Sequence, residues 1–278
     1  KIPLWGKFKK VITVHDVMFL RLPGGNPLKK KLAGVQLRWA ARKADLILAD
    51  SEFTRKDLRE MLPQAGSKIS VLYPNVEAGW AQPVHEKSIT AVRQRYAGDG
   101  PFLLYVGNFK PHKNVDLLVR TFQKLAEQDK VGPHKLLLVG GDPANLRRIE
   151  SLIPVGERKG LVRIYPDVPD ADLKALYSAA AWFVTLSGYE GFGYPVLEAM
   201  ACGCPVICHP CTSIPEIAGQ AFVPVAALTM DSAFKAICNA LQMSRMDQIQ
   251  RSDHGKRQAA RFLTAAASDL FTNLLGNL

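Results

Sequence analysis

The sequence has few cysteines and no hydrophobic run long enough to cross a membrane. Five of its 278 residues are cysteine, a small and odd number that argues against a disulfide scaffold. The longest mostly apolar stretch, residues 175–186, is shorter than the roughly 18 residues that a membrane-spanning helix needs. Repeats and low-complexity tracts are also lacking. With 47% hydrophobic and 22% charged residues, the composition is typical of a globular protein and excludes disordered, collagen-like and coiled-coil chains.

Acidic residues are scarce in the first quarter of the chain. Residues 1–70 hold 15 Lys and Arg against 6 Asp and Glu, which accounts for +9 of the formal charge of +11. Basic clusters and neighbouring apolar side chains in this region are Lys7, Lys9, Lys10, Lys29, Lys30 and Lys31, with Trp5, Phe8 and Leu28. This mixture suits an anionic surface, either phospholipid or nucleic acid, although a solvated basic face has the same composition.

Four of the cysteines lie close together, at Cys202, Cys204, Cys208 and Cys211. A zinc site would need two separated ligand pairs with a loop between them, whereas residues 205–208 have the pattern of a short buried strand. We therefore expect buried thiols in a reducing cytoplasm and no bound metal.

Short apolar runs alternate with amphipathic stretches along the chain, which predicts an α/β fold with a parallel sheet. The predicted strands are 11–14, 46–49, 69–72, 102–106, 135–139, 162–165, 182–186, 205–208 and 221–225. The predicted helices are 28–43, 54–61, 91–96, 115–127, 144–153, 170–180, 195–202, 231–243 and 255–275.

A segment rich in proline and glycine, residues 74–101, predicts a domain junction near Gly98. The two predicted domains are residues 1–97 and residues 98–278, and the last helix could pack back on the first domain. The second domain has about six strands, enough for a doubly wound sheet, but the first has three, fewer than a complete Rossmann-like half. We therefore expect the start of the N-terminal domain to be missing from this chain.

A glycine-rich loop at residues 187–193 follows one of the apolar strands and leads into a helix. Pro195 suits the first turn of that helix and Gly203 suits its end. Glycines let the backbone approach a ligand, and free amides at a helix start favour a phosphate. Glu190 and Glu198 flank this predicted anion site, and their carboxylates suit the hydroxyls of a sugar or a ribose.

A second loop, residues 107–114, follows the first strand of the predicted second domain. Lys110 and Lys113 can supply the positive charge that a diphosphate needs, and Asn114 is predicted to cap the next helix. Glycines 140–141 and residues 165–169 follow the next two strands. Because the carboxyl ends of parallel strands meet at one edge of a sheet, these loops are expected to converge there.

Three stretches carry a resemblance to a known family. EGFGYPVLEAMACGCPVI, with Glu190 and Glu198 eight positions apart, resembles the E-x7-E signature of family-four retaining glycosyltransferases, which are group 1 glycosyltransferases. LYVGNFKPHKN resembles the phosphate-binding element of that family, and VRIYPDVPDADLKALYSAA resembles its base-binding stretch. VITVHD and ADLILADSEFTRKDL resemble the later part of its N-terminal domain. The resemblance implies a GT-B fold, in which two Rossmann-like domains face each other across a cleft.

The resemblance also implies roles for individual residues. Glu190 would contact the hydroxyls of the donor sugar, Glu198 would bind the ribose, and Lys113 would hold the diphosphate as it leaves. His15 matches a family histidine that faces the donor sugar. The remaining implied donor-binding residues are Gly107, Asn108, Lys110, Gly141, Val168, Gly191, Phe192 and Gly193. Asn108 stands where the family commonly has Arg, and Lys110 is the residue that could compensate.

The implied reaction moves a hexose, with mannose as the first expectation, from a nucleotide diphosphate sugar to a glycan or lipid-linked acceptor. The anomeric configuration would be retained, and neither a metal nor another cofactor would be bound. The expected location is the cytoplasm, at an anionic membrane surface, and no nucleic-acid partner is expected. A sugar-nucleotide epimerase of the same fold and a non-catalytic nucleotide-binding homologue are the alternatives that the residues leave open.

Overall fold

The computed structural model describes residues 8–74, 76–98, 100–153, 160–263, 271–274 and 276. Trp5 and Lys7, and residues 264–270 of the predicted last helix, lie outside these ranges. Contacts divide the chain into two units. The first unit holds the described residues up to 74, the loop Glu190–Gly193 and the described residues after 263, and the second unit holds Val76–Tyr189 and Tyr194–Leu263.

Every strand of the described residues pairs in parallel with its neighbours. The strands are β1 (Val11–Val14), β2 (Leu46–Ala49), β3 (Ile69–Val71), β4 (Phe102–Val106), β5 (Lys135–Val139), β6 (Val162–Tyr165), β7 (Trp182–Thr185), β8 (Val206–Cys208) and β9 (Phe222–Pro224). The first unit has a sheet in the order β1-β2-β3, and the second has a sheet in the order β6-β5-β4-β7-β8-β9.

Helices connect these strands, as parallel pairing requires. They are α1 (Met18–Arg21), α2 (Pro27–Lys43), α3 (Glu52–Met61), α4 (Glu86–Val92), α5 (Val115–Glu127), α6 (Pro143–Glu150), α7 (Asp170–Ala179), α8 (Tyr194–Ala201), α9 (Ile214–Ala218), α10 (Met230–Leu241) and α11 (Arg245–Ala259). A π-helical turn, Arg93–Ala97, continues α4. Shorter 3₁₀ turns occupy Pro63–Lys68, Ala78–Ala81, Pro111–Lys113 and Ala260–Phe262.

Polar side chains fix where several of these helices begin. Asn26 accepts hydrogen bonds from the amides of Leu28 and Lys29 and precedes a proline at the start of α2. Ser51 does the same for α3, and Asp142 does so for α6, which also starts with proline. Side chains of this kind satisfy amides that have no partner within the helix.

The strand predictions agree with the structure to within one residue at each end, whereas the helix predictions agree less well. The predicted helix 255–275 begins ten residues too late, because α11 starts at Arg245, and α1 and α9 were not predicted. Gly203 ends α8 as predicted, with its amide bonded to the Met200 carbonyl.

The contacts place the boundary between the two units before α4, where the second unit begins at Val76. The predicted junction lies later in the chain, near Gly98. α4 and the π turn pack on the second unit: the Tyr96 hydroxyl donates to Asp172 at 2.6 Å, and the Tyr96 ring meets the Tyr165 ring edge-on at 4.9 Å between centroids.

Each unit has its own hydrophobic core. In the first, Ile47 and Ala49 of β2 pack with Leu58 of α3 and Ala41 of α2. In the second, alternate residues of the central strands, such as Leu103 and Tyr105, pack against α5 and α10. All four residues of β2 and of β7 are buried, as expected for strands covered on both faces.

The cysteines are free thiols and most of them are buried. Cys204, Cys208 and Cys211 are buried, and Cys202 and Cys238 are half-buried. Burial raises the pKa of Cys202 to about 12, and it also raises the pKa of Cys208 well above its usual range. In the described ranges, no helix is long and apolar enough to traverse a bilayer.

Candidate functional site

The strand order of the six-stranded sheet creates a topological switch point. β4 comes first in this sheet along the chain and lies between β5 and β7. The chain runs from β4 out to β6 at one edge, returns to β7 and then continues to β9 at the other edge. Open parallel sheets bind ligands outside the carboxyl ends of their strands at such a point. The loops after β4 and β7 are therefore the expected ligand site of the second unit.

Hydrogen bonds join these two loops. The Asn114 side-chain amide donates to the Leu186 carbonyl at 2.9 Å, and the Gly188 amide donates to the His112 carbonyl at 2.8 Å. Asn114 occupies the position before α5, but its side chain caps no amide of that helix. The predicted capping role was wrong because this side chain serves the neighbouring loop, while its backbone adopts a left-handed conformation with φ of 51°.

The loop after β5 packs directly on the loop after β4. Gly140 has φ of 94°, and a Cβ atom there would lie 2.7 Å from the Gly107 carbonyl oxygen. At Gly141 a Cβ atom would lie 2.8 Å from the Phe109 ring. Only glycine fits this packing without displacing the neighbouring backbone or ring. This close packing of the two loops brings Gly107 and Gly141, both predicted donor-binding residues, together on one side of the switch point.

Both predicted phosphate-binding lysines lie on the loop after β4. Lys110 is exposed and Lys113 is half-buried, and the Lys113 amide closes a 3₁₀ turn by bonding the Lys110 carbonyl at 2.9 Å. Asn108 is fixed by two bonds: its carbonyl accepts from the Tyr105 hydroxyl at 2.7 Å, and its side chain accepts from the Lys110 amide at 3.3 Å. The loop thus presents two cations on an ordered turn.

Glu198 lies in α8, the helix that follows the glycine loop. Its Oε2 atom accepts a hydrogen bond from the Tyr177 hydroxyl at 3.0 Å. Tyr177 is fully buried in α7, where its ring packs against the rings of Trp80 and Phe183, each at 5.7 Å between centroids. A rigid donor therefore fixes one carboxylate oxygen of Glu198.

Burial raises the pKa of Glu198, whereas the hydrogen bond from Tyr177 lowers it and the charge of Asp170 raises it further. A carboxylate held in a partly desolvated position interacts strongly with a hydroxyl donor, because little water competes for it. Such a group is well suited to bind one or both hydroxyls of a ribose.

The segment Glu190–Gly193 contacts the first unit, to which it belongs by its contacts. The Gly191 carbonyl accepts hydrogen bonds from the Ser51 hydroxyl at 2.8 Å and the Thr54 hydroxyl at 3.3 Å. A Cβ atom on Gly191 would lie 2.5 Å from the His15 carbonyl oxygen. Phe192 is buried, with its ring 6.4 Å from the Tyr73 ring. The backbone of three predicted site residues is thus fixed in this unit beside His15.

His15 follows β1 and is bonded to an aspartate that follows the neighbouring strand. Its Nδ1 atom lies 2.8 Å from Oδ2 of Asp50, and the His15 side chain is 78% exposed whereas that of Asp50 is 8% exposed. A carboxylate that accepts from Nδ1–H leaves Nε2 as the exposed nitrogen. Sequence reasoning missed Asp50, although it directly follows Ala49, the register partner of Val14.

Tyr177 is the second residue that sequence reasoning missed. In the sequence it looks like any core aromatic residue on an amphipathic helix. Only the packing of α7 on α8 reveals that its hydroxyl contacts Glu198. Val168 is half-buried after β6, where it was predicted. The roles of these residues toward a donor remain predictions.

The sequence contains an Asp-x-Asp pair, Asp170 and Asp172, at the start of α7. Asp172 is engaged by protein groups: Arg95 lies 3.0 Å away and the Tyr96 hydroxyl 2.6 Å away. No cluster of three or more His, Cys, Asp or Glu side chains suited to a metal ion occurs in the part of the chain that the structure describes.

Comparison with protein families gives a match to the model described as "Glycosyl transferases group 1", over residues 89–253. This stretch contains the loops after β4 and β7 and the helix that carries Glu198. The chain belongs to this family. The family resemblance inferred from the sequence motifs is therefore confirmed.

Two curated relatives of this group 1 glycosyltransferase chain have names that refer to mannose. The O-antigen chain mannosyltransferase B of Escherichia coli is 31% identical over 257 residues, which are 91% of this chain and 66% of that protein. The mannosylfructose-phosphate synthase of Agrobacterium fabrum is 31% identical over 172 residues, 60% of this chain and 38% of that protein. The chain thus spans less than two thirds of the length of these relatives.

Solved structures confirm that the fold of this family member is GT-B. The crystal structure of Anabaena HepE in complex with UDP-glucose matches with a TM-score of 0.78 and 17% identity, covering 97% of this chain and 72% of that chain. WaaG, a glycosyltransferase involved in lipopolysaccharide biosynthesis, matches with a TM-score of 0.74 and 18% identity, covering 94% of this chain and 73% of that chain.

Proposed function

We propose that this chain carries the donor-binding machinery of a glycosyltransferase that moves a hexose from a nucleotide diphosphate sugar to a glycan or lipid-linked acceptor. The observation that carries the proposal is the joined pair of loops at the switch point. Their ordered backbone presents Lys110 and Lys113 on one loop, and the other loop leads to Glu198, whose carboxylate is fixed by a buried tyrosine.

Each part of a nucleotide diphosphate sugar has a chemical counterpart in these residues. Lys113, supported by Lys110, would neutralise the diphosphate, and the amides at the start of α8 would add hydrogen bonds. Glu198 would accept from the ribose hydroxyls. Lysine and amide groups that stabilise the leaving diphosphate remove the need for a metal ion, so we propose metal-independent transfer.

We further propose that transfer retains the configuration of the sugar. Glu190 would accept hydrogen bonds from the sugar hydroxyls, and His15, oriented by Asp50, would contact the sugar. The acceptor oxygen forms a bond to the anomeric carbon on the face from which the nucleoside diphosphate leaves. Its proton passes to an oxygen of the departing phosphate, so that charge and protons balance without an enzymic nucleophile.

The proposed sugar is mannose. The supporting observation is that relatives named as mannosyltransferases match this chain, with the O-antigen mannosyltransferase matching over most of its length. The name of the O-antigen mannosyltransferase also supports assembly of a surface polysaccharide as the process and a growing glycan as the acceptor.

The test is a thermal-shift panel with UDP, GDP, ADP and their sugars. A ligand at about 100 times its Kd stabilises the folded state by about 2.7 kcal/mol, so one base is expected to raise the melting temperature clearly above the others. Glu198→Ala and Lys113→Ala are expected to abolish the shift. Matched surface variants, Glu150→Ala and Lys130→Ala, are expected to keep it.

The outcomes of this panel and its follow-up separate the alternatives. No shift with any nucleotide contradicts the donor site. A shift without sugar transfer to acceptor in cell-membrane extracts points to a non-catalytic homologue, whereas epimerised free sugar points to an epimerase. Transfer that persists in EDTA supports metal independence, and loss of transfer in EDTA contradicts it.

We also propose that α2 rests on an anionic membrane surface. α2 carries six basic residues and no acidic residue along Pro27–Lys43. Four of its exposed apolar side chains fall on one stripe of the helix because their spacing follows a turn of about 3.6 residues. These are Leu28, Leu32, Val35 and Trp39, with Leu28 74% exposed and Trp39 40% exposed.

The opposite side of α2 carries the buried Gly34 and packs on the core of the first unit through Leu37 and Ala41. The exposed stripe is therefore not part of the face of α2 that packs in the core of the first unit. Basic residues flank the stripe, among them Lys31 and Arg38. An apolar stripe flanked by cations matches the interface of a bilayer with anionic headgroups.

Vesicle flotation tests this surface. The chain is expected to float with phosphatidylcholine vesicles that contain phosphatidylglycerol and to stay behind with phosphatidylcholine alone. The double variant Leu32→Ser with Trp39→Ser is expected to lose flotation, whereas Met246→Ser, which changes an exposed apolar residue on α11, is expected to keep it. Equal flotation with neutral and anionic vesicles contradicts the proposal.

A further inference from the structure

A cavity lies where the strands of the six-stranded sheet begin, at the opposite end of the strands from the switch-point loops. Pro101, Ala181 and Pro205 line it, and they immediately precede β4, β7 and β8. The amino ends of parallel strands meet at one edge, so this cavity shares no residue with the proposed donor site. Its volume is about 470 Å³, within the usual range for small-molecule sites.

The charged side chains that line this cavity are basic. Arg93 enters it from the π turn and Arg245 from the start of α11, and His134 adds an imidazole beside β5. No aspartate or glutamate is among the lining residues. Two guanidinium groups on one cavity repel each other unless an anion lies between them.

Within the described ranges, the side chains of Arg93 and Arg245 make no hydrogen bond or ion pair with the protein. Other arginines of the same unit are engaged: Arg95 pairs with Asp172, Arg148 bonds the Phe109 carbonyl, and Arg163 bonds the Tyr96 carbonyl. The two cavity arginines are thus available to a ligand, and a planar guanidinium matches a phosphate well.

The π turn holds Arg93 on a fixed backbone. The Tyr96 carbonyl accepts from Arg163 at 3.0 Å and from the Tyr165 hydroxyl at 2.8 Å, and the Lys135 amine bonds the Ala97 carbonyl. π turns are rare and recur at functional sites. Side chains of β5 and β6 thus hold the π turn in place by donating hydrogen bonds to its carbonyls.

Polar groups and an apolar wall complete the cavity. The Ser252 hydroxyl donates to the Gly203 carbonyl at 2.7 Å, and the nearby Gln248 side-chain amide donates to the Met243 carbonyl at 3.1 Å. Pro101, Pro205 and Ile249 form apolar surface. The lining therefore favours a ligand that has both an anionic group and an apolar or sugar-like body.

The first turn of α11 adds to the positive potential. Ser244 caps this helix by accepting from the Asp247 amide at 3.2 Å, so the positive end of the helix dipole lies at Arg245. Asp247 is the nearest acidic residue on this helix. Its carboxylate is bonded by the Ser244 hydroxyl at 2.7 Å, and it lines a different groove, which includes Arg251 and His254.

We propose that this cavity is a second anion-binding site, which takes a soluble phosphomonoester whose phosphate lies between Arg93 and Arg245. The site is separate from the donor site and does not depend on the proposed function, since its residues come from the amino edge of the sheet. A phosphorylated metabolite bound there would contact β4 and β7 at their starts, the two strands whose ends carry the donor loops.

Isothermal titration calorimetry with inorganic phosphate and with phenyl phosphate tests the site in the full chain. Phenyl phosphate is expected to bind more tightly, because its ring can cover the apolar wall. The double variant Arg93→Gln with Arg245→Gln is expected to bind phenyl phosphate roughly a hundredfold more weakly, about tenfold for each charge-assisted hydrogen bond. Neither arginine is buried, so this variant is expected to fold.

Two control variants separate this site from other anion sites. Arg257→Gln changes an arginine of α11 that does not line the cavity and is expected to leave binding unchanged. Lys113→Ala removes the predicted diphosphate contact, so it measures how much of the phenyl phosphate heat comes from the donor site. The proposal is overturned if the wild-type chain does not bind either probe, or if phenyl phosphate binds the double variant as tightly as the wild type.

Discussion

The Tyr177 hydroxyl donates a hydrogen bond to Glu198 at 3.0 Å. Tyr177 is buried in α7, and Glu198 is half-buried in α8. Because the tyrosine cannot turn toward water, the carboxylate it contacts is held in one orientation. This pair converts a glutamate that the sequence motif merely locates into a positioned acceptor for hydroxyl groups.

Replacing the buried charge of this pair is expected to stabilise the fold and weaken the site. Burial raises the pKa of Glu198, so its ionised form is less favourable in the folded than in the unfolded chain. Stability is therefore lost as the pH rises from the unfolded pKa through the folded pKa. Glu198→Gln is expected to unfold at higher urea concentration than the wild type at pH 7, while nucleotide binding falls.

The extra stability of Glu198→Gln is expected to disappear in acid, where the Glu198 carboxyl of the wild type is protonated in both the folded and the unfolded state. Urea unfolding measured at pH 7, and again at a pH below the usual pKa of glutamate, tests this expectation. A stabilisation that is the same at both pH values would show that the charge is not its cause.

Removing the tyrosine hydroxyl is expected to change the pH dependence of donor binding. The bond from Tyr177 lowers the pKa of Glu198, so Tyr177→Phe raises it. In the proposed donor site the Glu198 carboxylate accepts from the ribose hydroxyls, so nucleotide affinity is expected to fall as the pH falls through this pKa. Calorimetric titration of the nucleotide between pH 5 and 8, taken as approximate limits around the histidine range, is expected to show the loss at higher pH in Tyr177→Phe.

The backbone of the glycine loop is expected to tolerate no side chain at Gly191. A Cβ atom there would lie 2.5 Å from the His15 carbonyl oxygen and 3.0 Å from Asp16. Overpacking of this kind costs about 1–3 kcal/mol, so Gly191→Ala is expected to lower the free energy of unfolding by that amount. Gly79 has no neighbour within 4 Å of an added Cβ, and Gly79→Ala is the matched control, with an expected change below about 0.5 kcal/mol.

Transfer is expected to depend on the aspartate behind His15. Asp50→Ala removes the partner of Nδ1 and lets the exposed ring turn, so the transfer rate is expected to fall roughly tenfold, the equivalent of one charge-assisted hydrogen bond. Asp50 does not belong to the unit that holds the lysine loop, and nucleotide affinity is expected to stay the same. An equal loss of nucleotide affinity would mean that Asp50 supports the fold and not the orientation of His15.

The central strands could be predicted from this sequence because they are buried on both faces. β2 is a continuous apolar run and β7 is apolar except for Thr185, and such short runs have few other interpretations. α11 could not be predicted in the same way. Its first ten residues are almost entirely polar, and its buried contacts are made by Gly255 and Ala259, since small residues let it approach Met200 of α8.

Local composition and fixed spacings along the chain were enough to predict the family, the parallel α/β architecture and the loops that carry glycines, lysines and the two glutamates. Tertiary structure alone decided which side chains complete those loops. Tyr177 reaches Glu198, Asp50 reaches His15, and Arg93 joins Arg245 at the far edge of the sheet only after distant helices and strands pack together. Hydrogen bonds between residues far apart in the chain follow from that packing, and no local pattern encodes them.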